Sequence, residues 1–430
     1  MVKNQQNTMT MNEREKTIAI YTLTSELHDE GAVTAVTHEF LNSLQIEYDL
    51  RGNDYAGYGS HTLDLIYVRT GGTEGIFLRL LPQLQAQSTK PFYLLTSGKS
   101  NSLAASMEIL SYLRQQGFKG EIIHGNSEHI RNRINNLSRV AEARELLQGT
   151  RLGIVGHPSD WLISSRADKD RVCQQLGIHL VDIPMQELLN TIAATPVKDE
   201  VTEQAPTDAI RQSLPVANQI YDALKALIEH HRLSGFTLRC FDLLSAVHNT
   251  GCLALARLNA EETVAGCEGD VPALLTMTIV KALTGISGFQ ANPSSIDPET
   301  GTMTLAHCTI PLNMVEHYEL DTHFESGIGI GIRGHMTTGP VTIFKVSGDL
   351  QRSFVAEGEL VRNESKPDLC RTQLVVRLSN PADTAYFLTH PIGNHHIIVP
   401  GRYKSLFEDF IEWHQKAIKR YKKVDECLEK

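Results

Sequence analysis

The short apolar run Thr17-Ile18-Ala19-Ile20-Tyr21 begins the pattern that decides the fold of this chain. An amphipathic segment at residues 31–44 follows it and predicts a helix, and a second apolar run follows at Leu65-Ile66-Tyr67-Val68. Further apolar runs and helical segments alternate in the same way up to about residue 150. Strands that alternate with helices indicate a parallel sheet covered on both faces. The sequence therefore predicts a doubly wound α/β domain over residues 16–150.

The alternating pattern restarts at Leu152-Gly153-Ile154-Val155-Gly156 and predicts a second α/β domain over residues 151–288. Beyond it, short β-rich runs are separated by glycine-containing turns; they lie at residues 302–307, 341–346 and 372–377. This change predicts a third domain over residues 289–430, closed by a helix at residues 403–421. The predicted fold class is α/β, with two doubly wound parallel α/β domains followed by an antiparallel β-rich, barrel-like C-terminal domain.

Composition and charge exclude several classes of protein. The 430 residues carry a formal net charge of −10, which argues against a nucleic-acid or anionic-membrane surface. No segment approaches the roughly 20 apolar residues of a membrane span. The polar N-terminus lacks the apolar core of a secretory signal, so we expect a disordered tail over residues 1–15. The seven cysteines are odd in number and form no CxxC pair, which indicates reduced thiols in the cytoplasm.

Two carboxylates flank a glycine in Glu268-Gly269-Asp270, directly before an apolar helical pattern. Pro272 fits the first turn of that helix, because its missing N–H would have no partner there. The two acids therefore lie in the turn before a helix, where backbone N–H groups point outward and negative charge is favoured. A carboxylate held in such a turn suits a metal ligand or a catalytic base. The alternative is an acidic N-cap with no further role.

Three histidines downstream are candidate metal ligands. His307 ends a predicted strand, and His395 and His396 lie in a turn that runs into an apolar strand. Neutral imidazole is a common ligand of divalent metals, while carboxylate suits Mn²⁺ and Mg²⁺. The chain has 18 histidines, so a chance pair near any acid is easy to find, and each histidine alone is more often structural.

A glycine-rich run ends in two candidate substrate-binding side chains, Arg333 and His335. Glycine occupies alternate positions in the strand-like segment 327–332 that precedes them. Glycine at alternate positions of a strand lets another backbone or a ligand approach closely. In the functional reading, Arg333 and His335 face a polyhydroxylated or anionic substrate; in the alternative reading, the segment is a tightly packed strand or turn.

Residues 236–401 resemble the L-arabinose isomerase and L-fucose isomerase superfamily, over about two-fifths of the chain. Residues 236–243 resemble the strand before the active site, residues 251–259 the glycine-led segment that precedes the catalytic glutamate, and Cys267-Glu268-Gly269-Asp270 the Glu-Gly-Asp motif of the arabinose branch. Residues 305–308 resemble the strand with a metal-binding histidine, and residues 393–396 resemble the late histidine motif.

This resemblance implies an aldose–ketose isomerase that acts on a pentose, a deoxyhexose or a modified hexose. It implies a divalent metal, usually Mn²⁺, that stabilises an enediolate while two carboxylates move the proton between C1 and C2. Glu268 is then a metal ligand and acid/base, and His307 is a second ligand. The arabinose pattern favours His396 as the next ligand and the fucose pattern favours His395, so the choice stays open. A homo-oligomer, trimeric or hexameric, is also implied.

The sequence departs from the superfamily at Asn292, which falls where a second acidic metal ligand is expected. An amide oxygen can bind a metal, but it carries no charge and cannot serve as a base. Asp270 is then a candidate for the second catalytic acid. The departure keeps two alternatives to the isomerase open: a catalytically lapsed sugar-binding relative, and a metal-dependent epimerase or lyase on the same scaffold.

Overall fold

The computed structural model describes residues 17–198 and 205–413, together with the backbone of residues 419 and 420. The chain divides into two compact units between Glu142 and Ala143. The predicted tail over residues 1–15 lies outside the described residues. Within them, no helix is long and apolar enough to cross a membrane.

The first unit is a five-stranded parallel sheet with helices between its strands. Its strands are β1 (Ile18–Leu23), β2 (Asp49–Gly52), β3 (Leu63–Val68), β4 (Phe92–Leu95) and β5 (Gly120–Ile123). Its helices are α1 (Glu30–Leu44), α2 (Glu74–Gln87), α3 (Ser102–Gln115) and α4 (Ser127–Leu147), the last of which runs past the unit boundary. The spatial order β2-β1-β3-β4-β5 extends in both directions from β1, so the unit is doubly wound as predicted. Every residue of β3 is buried, as expected for a strand covered on both faces.

The second unit begins with a four-stranded parallel sheet. Its strands are β6 (Arg151–Val155), β7 (His179–Ile183), β8 (Gly235–Leu238) and β9 (Val264–Cys267), in the spatial order β7-β6-β8-β9. Its helices are α5 (Lys169–Leu176), α6 (Met185–Ala194), α7 (Asp208–His231), α8 (Asp242–Val247), α9 (Cys252–Ala260) and α10 (Val271–Thr284). Helix α10 is apolar on nearly all sides and is buried along most of its length, which is typical of a helix inside a core.

The rest of the second unit is built around an antiparallel barrel. The remaining strands are β10 (Phe289–Asp297), β11 (Thr302–His307), β12 (His317–Asp321), β13 (Gly331–His335), β14 (Gly339–Val346), β15 (Arg352–Glu364), β16 (Thr372–Leu378), β17 (His396–Pro400) and β18 (Lys419–Arg420). Six of them pair in the closed order β14-β17-β10-β11-β16-β15, because β15 also pairs with β14. Strands β12 and β13 form a separate hairpin. Closure leaves these six strands without an open edge, and helix α10 packs between the barrel and the parallel sheet.

The predicted fold class is confirmed by the two parallel sheets and the closed barrel. The domain boundaries at residues 150 and 288 stay a prediction. Helices α11 (Thr384–Thr389) and α12 (Lys404–Trp413) complete the chain. The closing helix was predicted to reach residue 421, and this is wrong at residues 419 and 420, which form β18. There the backbone pairs in parallel with β15 instead of bonding within a helix.

Candidate active site

Glu268 lies in the tight turn between β9 and α10, at the carboxyl end of the parallel sheet. Both Glu268 and Gly269 adopt left-handed backbone conformations, with φ values of 63° and 68°. This region is strained for a residue with a side chain, and such strain concentrates at functional sites. Only glycine fits at position 269, because a Cβ atom there would lie 2.6 Å from the carbonyl oxygen of His157. The turn therefore fixes the direction of the Glu268 side chain.

Asp270 is the N-cap of α10 and also holds a histidine. Its Oδ1 accepts a hydrogen bond of 2.8 Å from the backbone N–H of Ala273, so Asp270 is an N-cap, although this is not its only contact. Its Oδ2 accepts a hydrogen bond of 2.8 Å from Nδ1 of His395, and Nζ of Lys345 lies 4.0 Å from the same oxygen. All three side chains are buried. Asp270 thus uses both oxygens inside the protein.

Glu268, His307 and His395 form a buried cluster of potential metal ligands. Oε1 of Glu268 lies 3.5 Å from Nε2 of His307 and 3.5 Å from Nε2 of His395. Each imidazole uses its other nitrogen elsewhere, because Nδ1 of His307 lies 3.0 Å from Oγ1 of Thr309 and Nδ1 of His395 bonds Asp270. Both Nε2 atoms therefore face the carboxylate.

The donors of this cluster fit a divalent metal ion. Nε2 of His395 is buried and makes no hydrogen bond among the described residues, and Oε1 of Glu268 lies 3.5 Å from it, at ion-pair distance; a metal ion bound between the two would satisfy both atoms. One carboxylate and two imidazoles are a donor set that catalytic metal sites use, with further positions left for substrate. The hydrogen bond from His395 to Asp270 is the carboxylate support that metal-binding histidines usually have.

The charges of the cluster are strongly coupled. Burial raises the pKa of Glu268, but His307 and His395 lower it by more, so its pKa lies well below the usual range. Burial lowers the pKa of His395, whereas Asp270 and Glu268 together raise it to about 9. At neutral pH the metal-free cluster thus pairs an ionised Glu268 with a protonated His395. A metal ion bound here would require His395 to lose the proton on Nε2.

The structure brings His395, and not His396, to Glu268. Nε2 of His396 lies 2.9 Å from the hydroxyl of Tyr386, and its Nδ1 bonds the carbonyl oxygen of Asn394 at 2.9 Å. Burial lowers the pKa of His396 to about 3, so this imidazole is neutral. Successive side chains of an extended segment point to opposite sides, which explains why the two neighbours separate. A metal-ligand role for either histidine stays a prediction.

Asn292 lies in β10 and is half-buried. Its Oδ1 accepts a hydrogen bond of 2.8 Å from Nδ2 of Asn394, the neighbour of His395. Its role as a metal ligand stays a prediction.

Arg333 and His335 lie in β13, on the β12–β13 hairpin. Arg333 donates a 2.8 Å hydrogen bond to Oδ2 of Asp321, and its NH1 bonds the hydroxyl of Ser365. The His335 ring stacks on His317, with ring centroids 4.4 Å apart and planes 11° apart. His335 is not one of the grouped ligands around Glu268 in the described residues. Their substrate-binding role stays a prediction, and the contacts described here are with the hairpin and a neighbouring loop.

Sequence reasoning missed two residues beside the cluster, Trp161 and Glu325. The indole N–H of Trp161 donates a 2.7 Å hydrogen bond to Oε2 of Glu268, from 107 positions away in the sequence. Partial desolvation, and then the charge of Glu268, raise the pKa of Glu325, an exposed residue between β12 and β13. A signal for Trp161 was present, because it follows the carboxyl end of β6, where α/β sheets bind ligands.

No protein-family model matches the chain. The chain is similar to known sulfoquinovose isomerases. It is 24% identical over 229 residues to the protein of Clostridium sp. (strain MSTE9). This alignment covers 50% of this chain and 49% of that protein. It is 23% identical over 308 residues to the proteins of Priestia aryabhattai and Priestia megaterium (strain ATCC 12872 / QMB1551). Each of these alignments covers 67% of this chain and 69% of the relative. The aligned part thus spans about half the length of the Clostridium relative.

These relatives are sugar isomerases by name, so the prediction of an enzyme of the isomerase class is supported. Sequence identities of 23–24% indicate that the chain is related to sugar isomerases, without indicating a narrower family. The narrower resemblance to the L-arabinose and L-fucose isomerases stays a prediction.

Proposed function

We propose that this protein is an aldose–ketose isomerase that binds a divalent metal ion and acts on a sulfonated hexose. The observation that carries the proposal is the buried Glu268–His307–His395 cluster, with one imidazole nitrogen left without a hydrogen bond. The names of the relatives supply the substrate class, because sulfoquinovose is a 6-deoxyglucose with a sulfonate group on C6. A modified hexose was among the substrates expected from the sequence.

Glu268, His307 and His395 would hold the metal, which we propose to be Mn²⁺. When bound, such an ion supplies Lewis-acid chemistry: it acidifies the substrate proton next to the carbonyl and stabilises an enediolate. Asp270 keeps the proton of a neutral His395 on Nδ1, so that the lone pair of Nε2 is directed at the ion. Three protein ligands are enough for a catalytic site, so the site does not require a carboxylate at Asn292.

Isomerisation also needs a carboxylate that moves a proton between C1 and C2. Asp270 is a poor candidate, because it is fully buried and both of its oxygens already accept hydrogen bonds. We assign this role to Glu325, which is exposed and interacts electrostatically with Glu268 and His307. The raised pKa of Glu325 suits a group that must both accept and donate a proton.

The remaining parts of the proposal come from composition and resemblance. We propose a cytoplasmic protein, because the cysteines are spread without pairs in the sequence and six of them are free thiols in the described residues. We also propose a homo-oligomer, trimeric or hexameric, with a sugar as its small-molecule partner and without a nucleic-acid or membrane partner. Size-exclusion chromatography with light scattering would test the oligomer.

The function is tested by incubating Mn²⁺-loaded protein with sulfoquinovose and following the ketose product by NMR. We expect the parent protein to form the ketose and Glu268→Gln to lose both stoichiometric Mn²⁺ and turnover. Glu325→Gln should retain Mn²⁺ but lose about 10²–10⁴-fold in kcat, which is the usual contribution of general acid–base catalysis. The exposed Glu299 provides the control, and Glu299→Gln should behave as the parent does.

Full turnover by Glu268→Gln would refute the assignment of the site. Sugar binding without turnover by the parent protein would favour the lapsed sugar-binding relative. An epimer or a cleavage product, instead of the ketose, would favour the epimerase or lyase. The last two outcomes would each replace the isomerase by one of the alternatives that the sequence left open.

A further inference from the structure

Trp161 is an exposed side chain that is bonded to the centre of the proposed site. Trp161 is 51% exposed, yet its indole N–H donates a 2.7 Å hydrogen bond to Oε2 of the buried Glu268. Single exposed apolar side chains are common on protein surfaces, so it is the hydrogen bond to a buried carboxylate, and not the exposure, that distinguishes this tryptophan. Its position therefore points to a function in binding.

The loop that carries Trp161 is fixed to the same turn as Glu268. The backbone N–H of Ser159 donates a 3.0 Å hydrogen bond to the carbonyl oxygen of Glu268. Arg239 holds the loop from the other side, through the carbonyl oxygen of Pro158 at 2.8 Å and the carboxylate of Asp160 at 2.9 Å. Hydrogen bonds on both sides therefore hold the loop that carries the indole in place.

The indole plane is also constrained by neighbouring rings. The Trp161 and Phe241 rings are 4.8 Å apart at 80°, and Phe241 packs in the same way on His323 at 5.6 Å. Edge-to-face contacts of this kind favour one ring orientation over others. The three side chains form an aromatic wall that runs from Glu268 towards the loop containing Glu325.

The hydrogen bond from Trp161 fixes the orientation of the Glu268 carboxylate plane relative to the imidazoles. Oε2 is occupied by the indole, whereas Oε1 lies 3.5 Å from Nε2 of both His307 and His395. Without the indole N–H, nothing described on the Oε2 side would hold the plane of the carboxylate, which could then turn about its Cγ–Cδ bond. Hydrogen bonds to metal-binding carboxylates orient them and commonly change metal affinity when they are removed.

Trp161 also lines a cavity of about 530 Å³ that is large enough for a sugar; His396 lines it too, whereas Glu268, His307 and His395 are not among its described lining residues, so Trp161 is the side chain that contacts both the cavity and the cluster. Apolar side chains, including Phe387, form part of its lining, and the hydroxyls of Ser164 and Ser165 and the amide of Asn394 add polar groups. The lining residues described for this cavity include no Lys, Arg, Asp or Glu. An aromatic face beside neutral hydrogen-bonding groups suits the C–H face and hydroxyls of a sugar.

We infer that Trp161 is a positioning residue for Glu268 and the wall of the sugar-binding cavity. Through its N–H it holds the plane of the Glu268 carboxylate so that the free oxygen faces the imidazoles, and through its ring it contacts the uncharged, hydroxyl-bearing part of the sugar. The second half of this inference rests on the proposed function. The first half concerns only metal binding, so the two halves are tested separately.

The test compares Trp161→Phe, which removes the N–H but keeps a ring, with Trp161→Ala, which removes both. Calorimetry with Mn²⁺ alone should show about 10-fold weaker binding for both variants, as expected for loss of a supporting hydrogen bond. With sulfoquinovose, Trp161→Ala should raise KM about 10-fold above that of Trp161→Phe at saturating Mn²⁺, because only Trp161→Ala removes the wall.

Trp413 is the matched control, because the chain has two tryptophans. It lies in α12 beneath the guanidinium of Arg144, which is 4.7 Å from its ring centroid. Paramagnetic Mn²⁺ should quench the fluorescence of the parent and of Trp413→Phe, and should not quench that of Trp161→Phe. This readout does not depend on turnover.

The outcomes separate the two proposals. Unchanged Mn²⁺ affinity in Trp161→Phe would overturn the positioning role even if the parent protein is an active isomerase. Equal KM values for Trp161→Ala and Trp161→Phe would overturn the sugar-binding wall. If the parent forms no ketose, the proposed function fails, while weaker Mn²⁺ binding by Trp161→Phe would still support the positioning role.

Discussion

The substitution Asp270→Asn tests the electrostatic design of the cluster with almost no change in shape. The Asp270 carboxylate only accepts hydrogen bonds, so a neutral His395 carries its proton on Nδ1 and offers Nε2 to a metal. An asparagine amide in the same place presents an N–H to Nδ1. The imidazole would then shift its proton to Nε2, the atom that must bind the metal. We therefore expect metal binding to weaken although every ligand is still present.

The magnitude follows from the contacts of Asp270. Loss of a carboxylate behind a metal-binding histidine commonly costs about 10–100-fold in affinity, or about 1.4–2.7 kcal/mol. Asparagine is as good an N-cap as aspartate, so the cap of α10 should survive. The larger effect on stability is expected at Lys345, because its buried ammonium loses the carboxylate that lies 4.0 Å away. Breaking such a buried pair costs about 3–5 kcal/mol of stability.

The assay combines Mn²⁺ calorimetry with thermal unfolding in the presence of a chelator. Asp270→Asn should lower both Mn²⁺ affinity and the melting temperature. Adding Lys345→Met should restore much of the stability, because no charge is left buried alone, but should not restore the affinity. Asp168→Asn is the matched control, since Asp168 caps α5 and bonds the backbone N–H of Arg171 at 3.0 Å. Parent-like Mn²⁺ affinity in Asp270→Asn would refute the tautomer argument.

Two further predictions concern stability. Gly269→Ala places a Cβ atom 2.6 Å from the carbonyl oxygen of His157 at a φ of 68°, so we expect urea unfolding to show a loss of about 1–3 kcal/mol; an unchanged free energy of unfolding would contradict the strained turn. Burial raises the pKa of Tyr55, whose hydroxyl donates to the carbonyl oxygen of Thr22. Its contribution to stability is therefore present below the unfolded pKa of about 10 and falls above it, by up to about 1.4 kcal/mol per pH unit. Urea unfolding at pH 9–11 should show a shallower decline in Tyr55→Phe, and an equal decline would count against this reasoning.

Much of the fold was predictable because it follows from local patterns. Short apolar runs separated by amphipathic segments predicted the parallel sheets, and β-rich runs between glycine turns predicted the barrel. Glu268 was predictable for the same reason: a strand end, a glycine and a helix start meet within four residues. These signals lie within a few positions of one another, so they can be recognised from the local sequence alone.

Which residues make up the site was harder to predict from the sequence, because the contacts of the site join distant parts of the chain. The hydrogen bond between Asp270 and His395 spans 125 positions, and that between Trp161 and Glu268 spans 107. No spacing rule tells which of two adjacent histidines turns inward, or that an aspartate at an N-cap also holds an imidazole. The sequence by itself determined the α/β and barrel architecture and the place of Glu268. Only the tertiary structure decided that His395 and Trp161 join it, because side-chain direction depends on how the barrel and the parallel sheet pack together.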